Sequence, residues 1–146
     1  MDLTYKKVES EEGIQKVYDY NIDAFSDSPD FKWSVDELKR EMEEGWELVA
    51  VYNKDEVVAA VFYKVEGYTL LTKNTAIKVG HQGAGISHEI KDYLESVARE
   101  KKLKEIVHYC RIDNFRMYSL NESHGFEKTQ NAYGDKGQVV EWVKSL

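Results

Sequence analysis

"IKVGHQGAGISHEI", residues 77–90, sets Gly80, Gly83 and Gly85 directly after an extended apolar run and directly before a helical pattern. Glycines at such a junction let a bulky group come close to the backbone. The first N–H groups of a helix have no partner inside it, and the helix dipole makes that end partly positive. An anion fits there, and a diphosphate is the natural occupant. A tight turn with no ligand produces the same pattern. Two phosphate motifs fail: no Gly-Lys-Ser/Thr follows the turn, and the three glycines are wrongly spaced for a dinucleotide fingerprint.

Upstream, "WELVAVYNKDEVVAAVFYKVEGYTLLTKNTAIKV", residues 46–79, holds three β-rich runs broken at Asn53 to Asp55 and at Glu66-Gly67. It reads as an antiparallel meander. Downstream, "ISHEIKDYLESVAREKK", residues 86–102, puts Ile86, Ile90, Tyr93, Leu94, Val97 and Ala98 on one helical face. "KEIVHYC" then reads as a short strand, "NFRMYSLNES" as a short helix stopped by Gly125, and "QVVEWVKS" as a final strand. Nearer the N-terminus, "LTYKKVES" reads as a first strand, and Ser10 can cap a helix carrying Ile14, Val17, Tyr18 and Phe25. "FSDSPDFKW" interrupts that helix. Ser34 followed by Glu37 is a capping-box pattern opening a second helix from Val35 to Glu44, with Leu38 and Met42 inward and Gly45 at its end. The order is mixed α and β, with a strand feeding a helix feeding a strand around Gly83 to Cys110.

The chain has 146 residues, 42% of them hydrophobic, which suits one domain over 1–146 rather than two. Its formal net charge of −7 argues against general nucleic-acid binding, which needs a basic surface. Cys110 is the only cysteine, so a cysteine-based metal cluster and an intramolecular disulfide are both excluded and a reducing cytoplasm fits best. No signal-like segment and no apolar run long enough to span a membrane is visible, and no metal site is expected. The ten tyrosines and three tryptophans suit a homodimer interface, a substrate pocket or an ordinary core.

Read in register, "AIKVGHQGAGIS" resembles the acyl-coenzyme A motif of the GCN5-related N-acetyltransferase (GNAT) superfamily, Gln/Arg-x-x-Gly-x-Gly/Ala after an extended strand. Gln82, Gly85 and Ser87 stand at its three positions. Ser87 replaces the usual glycine or alanine, and Val79 stands where proline is common. The second half agrees: Asn114, Met117, Leu120, Asn121 and Gly125-Phe126 keep the family's spacing after the next strand. The resemblance implies a mixed α/β fold, a central mostly antiparallel twisted sheet flanked by helices. It further implies that the backbone of Gln82, Gly83, Ala84, Gly85, Ile86 and Ser87 holds the coenzyme diphosphate. The strand edge at Ile77 and Val79 would bind the pantetheine arm as another strand does, with Asn114 helping from the other side. Acetyl-CoA would be the co-substrate and a primary amine, on a small molecule or a protein, the acceptor, attacking directly in a ternary complex. The alternative is a GNAT-fold protein that binds acyl-CoA as a sensor or interaction module.

Acetyl transfer needs a neutral amine, a polarised thioester carbonyl and a protonated leaving thiolate. The family's usual acid, a Tyr, is replaced by Asn121, which has no proton to give. Its usual strand carboxylate is replaced by Lys73 and Asn74. Tyr118, one turn before Asn121, and Tyr109, on the strand facing the proposed site, are the catalytic candidates, each with a packing role as the alternative reading. Strand alternation sends His108 and Tyr109 to opposite faces. His81 falls in the turn, His88 on the first turn of the following helix and His124 at a helix end. Cys110 reads as a core residue rather than a nucleophile. Asp27, Asp30 and Glu37 can attract an amine and Phe31 and Trp33 can pack its apolar stem, or the acids are ordinary capping residues.

Overall fold

A computed structural model describes residues 2–19, 34–77 and 85–146, with the backbone alone over 74–77. In chain order its elements are β1 (Leu3–Lys7), α1 (Glu11–Asp19), α2 (Val35–Glu43), β2 (Glu47–Asn53), β3 (Glu56–Glu66), β4 (Thr69–Ile77), α3 (Ile86–Glu100), β5 (Glu105–Arg111), α4 (Phe115–Ser123), β6 (Glu127–Tyr133) and β7 (Val139–Ser145). Phe25 and the interrupting segment lie outside the described residues.

The helix starts follow from their caps. Ser10 Oγ accepts the Gly13 N–H at 3.0 Å, and Ser34 Oγ accepts the Glu37 N–H at 3.2 Å. Glu37 does not close the expected box; its carboxylate turns to Arg40, 2.5 Å away. Asn114 caps α4, its side chain accepting the Met117 N–H at 3.3 Å. The expected apolar stripe of α3 is buried, except that Tyr93 lies half-buried, stacked on Tyr5 with ring centroids 3.8 Å apart.

The strands form one seven-stranded sheet in the order β1-β2-β3-β4-β5-β7-β6. All neighbours are antiparallel except β4 and β5. The mixed α/β expectation therefore holds, with one element added. β6, "EKTQNAY", is almost wholly exposed and carries no apolar alternation, so nothing in its sequence marks a strand; it forms by pairing with the apolar β7 at the sheet edge.

Each face of the sheet has its own core. α3 packs Ile86, Ile90, Leu94 and Ala98 over Val49, Val61, Leu70, Ile106, Cys110 and Trp142, with Met117 and Tyr118 of α4 at the border. α1 and α2 cover the opposite face with Ile14, Val17 and Leu38 on Ala50, Ala60 and Phe62.

Two irregularities position the site. β4 pairs with β5 only from Thr69–Glu105 to Thr72–His108, although β4 runs on to Ile77 and β5 to Arg111. Beyond that point β4 stays paired to β3 and β5 to β7, so the sheet opens between them as a fork. A register shift lies at the same level: Ala60 faces Ala76 and Phe62 faces Lys73, leaving Asn74 and Thr75 opposite Val61 alone. Such a bulge bends a strand and increases its twist.

Candidate functional site

Among the described residues, the inner edges of the fork, 73–77 and 109–111, are paired to no strand across the opening, a template for something strand-like. Because β4 and β5 are parallel, the helices that follow them both begin at this open end, α3 at Ile86 and α4 at Phe115. That is where ligands bind in open sheets with parallel strands. Gly85 opens α3 as its N-cap in the left-handed conformation, φ 82, with no side-chain cap for the first-turn donors. A Cβ there would meet nothing within 4 Å among the described residues, so the glycine serves the backbone conformation and the open approach rather than close packing. The amides of Ile86 and Ser87 lie at this positive end. Ile86 has its side chain in the core, Ser87 is half-buried and Asn114 is buried. Val79, Gln82, Gly83, Ala84 and His81 lie outside the described residues, and Ile77 is placed by its backbone at the end of β4.

The last rung before the fork is a buried polar pair. Thr72 Oγ1 donates to the Val107 carbonyl at 2.9 Å and lies 3.0 Å from His108 Nδ1. With its one proton committed, the hydroxyl accepts from Nδ1–H, so the network assigns His108 the tautomer whose Nε2 is an acceptor. The ring faces a small cavity shared with Ser87, Lys91, Met117 and Leu120. Burial, reinforced by the Lys91 ammonium, pushes the His108 pKa well below the usual histidine value. Burial also lowers His124, ahead of the opposing pull of Asp92. A depressed native pKa means that the unfolded chain binds the proton more readily. The stabilisation is thus full above about pH 6.5 and is lost as the pH falls below it. Thermal or urea unfolding between pH 7 and 5 should show stability dropping by up to about 1.4 kcal/mol per pH unit for this proton. His108→Asn, which keeps a donor toward Thr72, should flatten that slope.

The opposite face of the fork is built differently. Lys73, paired across from Phe62, lies 2.6 Å from the Glu41 carboxylate and 4.1 Å from the centre of the Trp46 ring. Glu41 is 4% exposed. It is buried on α2 together with Leu38, whereas Met42, expected inward, is only partly buried. Across the fork, Tyr109 meets Tyr133 edge to face at 5.5 Å, and Tyr133 Oη donates to Glu141 at 2.8 Å. Thr129 and Asn131 donate to the same carboxylate, each at 3.0 Å.

The two tyrosine candidates do not meet. Tyr109 is on the α1/α2 face with Glu141, its register partner, and burial with the nearby Glu141 charge pushes its pKa up to about 12. Tyr118 is on the α3/α4 face, its ring 5.1 Å from that of Trp142, and burial raises its pKa too. Cys110 is wholly buried in the core. His88 and His124 join the starts of α3 and the end of α4, Nδ1 to Nε2 at 2.9 Å. Among the proposed acceptor-side residues, Glu37 is held by Arg40, and Asp27, Asp30, Phe31 and Trp33 lie outside the described residues. Among the described residues there is no group of three or more His, Cys, Asp or Glu that could hold a metal ion, and no helix long and apolar enough to cross a membrane. Sequence reading missed the Glu41–Lys73 pair and the Tyr133–Glu141 network. The first had a signal in the carboxylate at a core-facing helix position; the second depends on β6.

No family model matches the chain, and no curated protein matches it. Solved structures do. The ribosomal-protein-S18-alanine N-acetyltransferase of Escherichia coli superposes with a TM-score of 0.78 at 15% identity, covering 99% of this chain and 94% of that one. The PaiA N-acetyltransferase of Thermoplasma acidophilum, in complex with coenzyme A, gives 0.77 at 12% identity over 100% of both chains. A GNAT family acetyltransferase of Elizabethkingia anophelis, with acetyl-CoA bound, gives 0.75 at 17% identity, covering 99% and 98%. At these identities the likeness is one of fold.

Proposed function

We propose that this chain, whose fold is that of the GCN5-related N-acetyltransferases, transfers an acetyl group from acetyl-CoA to a primary amine on a small molecule or a protein. The observation that carries the reading is the fork: two backbone edges opening where β4 and β5 part, with the N-terminus of α3 and its left-handed Gly85 at the open end. Pantetheine, with two amides in an extended chain, matches those edges, and a diphosphate matches the helix end. The motif positions Gln82, Gly83, Ala84, Gly85, Ile86 and Ser87 would hold the diphosphate, with Ile77, Val79 and Asn114 along the arm.

In the reaction a new N–C bond forms as the thioester C–S bond breaks, and the proton lost by nitrogen balances the thiolate. Positioning supplies much of the rate, because holding amine and thioester together removes an entropic cost of several kcal/mol. Tyr109 and Tyr118 are the candidate acids, but raised pKa values make both poorer donors to a departing thiolate. A second reading, an acyl-CoA-binding sensor or interaction module, draws support from Lys73, which stands in an ion pair with Glu41 where a base is usual.

Calorimetric titration with acetyl-CoA, followed by a thiol-release assay over a panel of amines, separates the readings. Micromolar binding with turnover supports the enzyme. Tight binding without turnover across the panel supports the sensor, and no binding of acetyl-CoA, CoA or desulfo-CoA removes both.

A further inference from the structure

Lys73 is the first residue of β4 past the last described rung it shares with β5, Thr72–His108, so its backbone stands where the fork begins. Its side chain leaves toward the α1/α2 face, 14% exposed, with the ammonium 2.6 Å from Glu41 Oε2 and 4.1 Å from the centre of the Trp46 ring. Tyr109, the residue after His108, stands on the other arm of the fork and turns to the same face. A buried ion pair is weak ground for stability, because apolar side chains of similar volume often serve as well. What singles this one out is its place. It sets an amine at the closed end of the fork with a carboxylate already within proton-transfer reach.

We infer that Lys73 is a self-acetylation site, its amine taking the acetyl group of acetyl-CoA bound in the fork with Glu41 as the proton acceptor. The inference rests on the function proposed above and adds to it an acceptor within the chain. A coenzyme with its diphosphate at the start of α3 and its arm between the two edges points the thioester toward the closed end, where Lys73 stands. Moving one proton across the 2.6 Å contact turns the ion pair into a neutral amine and a carboxylic acid. Nζ then bonds to the acyl carbon, and the C–S bond breaks with its electron pair going to sulfur. The ammonium loses two protons in all, one to Glu41 and one to the departing thiolate. An ion pair and a thioester thus become an amide, a carboxylic acid and a thiol. Because an amide does not pass its acetyl group on, the product is a lasting modification that removes the charge shared by Glu41 and Trp46.

The test incubates the full chain with acetyl-CoA and maps the acetylated peptides by mass spectrometry. Lys73 should be labelled at a first-order rate independent of protein concentration, and excess desulfo-CoA should suppress that label while sparing slow chemical acetylation of exposed lysines. Glu41→Gln, which keeps an acceptor beside the amine, should slow labelling about 100-fold. Lys73 left unmodified in a chain that binds acetyl-CoA would overturn the inference. So would labelling that desulfo-CoA does not reduce, or that a folded Glu41→Gln retains at the wild-type rate. If Glu41→Gln does not fold, the wild-type mapping decides alone. Turnover of an external amine with Lys73 unmodified keeps the proposed function and removes only this inference, whereas failure to bind acetyl-CoA removes the proposed function itself.

Discussion

Gly85→Val is expected to reduce acetyl-CoA affinity by at least about 100-fold while leaving a folded protein. The backbone at Gly85 has φ 82, which a β-branched residue adopts only with strain, so the first turn of α3 must shift to accept valine. A Cβ added there meets no described protein atom within 4 Å, so the loss is expected in the approach to the amides rather than in the core. Each charge-assisted hydrogen bond forfeited costs about 1.5–3 kcal/mol, and two of them account for the expected factor, since about 1.4 kcal/mol is tenfold. Calorimetry on Gly85→Val beside Gly85→Asn separates the causes. Asparagine tolerates the left-handed conformation, so it should keep the native melting temperature more nearly while still obstructing the ligand. Normal binding by Gly85→Val would mean that the coenzyme is held elsewhere.

Lys73→Met should destabilise the fold by about 3–5 kcal/mol, because it strands the Glu41 carboxylate inside the α2–β4 interface. The pair is held by charge at close range rather than by an aligned hydrogen bond, and Trp46 offers its ring face to the same ammonium. Removing both charges is a different perturbation. Glu41→Leu with Lys73→Met should recover most of the loss, since a buried pair exchanged for apolar groups is often neutral or better. Urea unfolding of the two singles and the double gives the coupling directly. Equal stability of wild type and Lys73→Met would show that water reaches the Glu41 carboxylate.

Much of this was legible in the residues, for reasons that differ from element to element. α3 announced itself because one apolar face runs unbroken from Ile86 to Ala98, and the meander because its turns at Asn53 to Asp55 and Glu66-Gly67 punctuate β-rich runs. Ser10 and Ser34 were legible as caps because a cap is a local bond. What escaped depends on partners distant in sequence. β6 is a strand only because β7 is beside it, and Glu41 is buried only because Lys73 arrives from β4. The fork is the extreme case: nothing in "TLLTKNTAI" says where pairing with β5 ends, because that is a property of two strands and the bulge opposite Val61 together.

The shortness of the β4–β5 ladder also bears on how the molecule is held together. Among the described residues, only the rungs from Thr69–Glu105 to Thr72–His108 join β1–β4 to β5–β7 within the sheet, and all of them lie at one end. Two half-sheets sharing so short a seam depend for the rest of their union on the core beneath α3, which packs on strands of both. A strand-like molecule laid between the two edges would lengthen the seam, so part of its binding energy would go into joining the half-sheets more firmly.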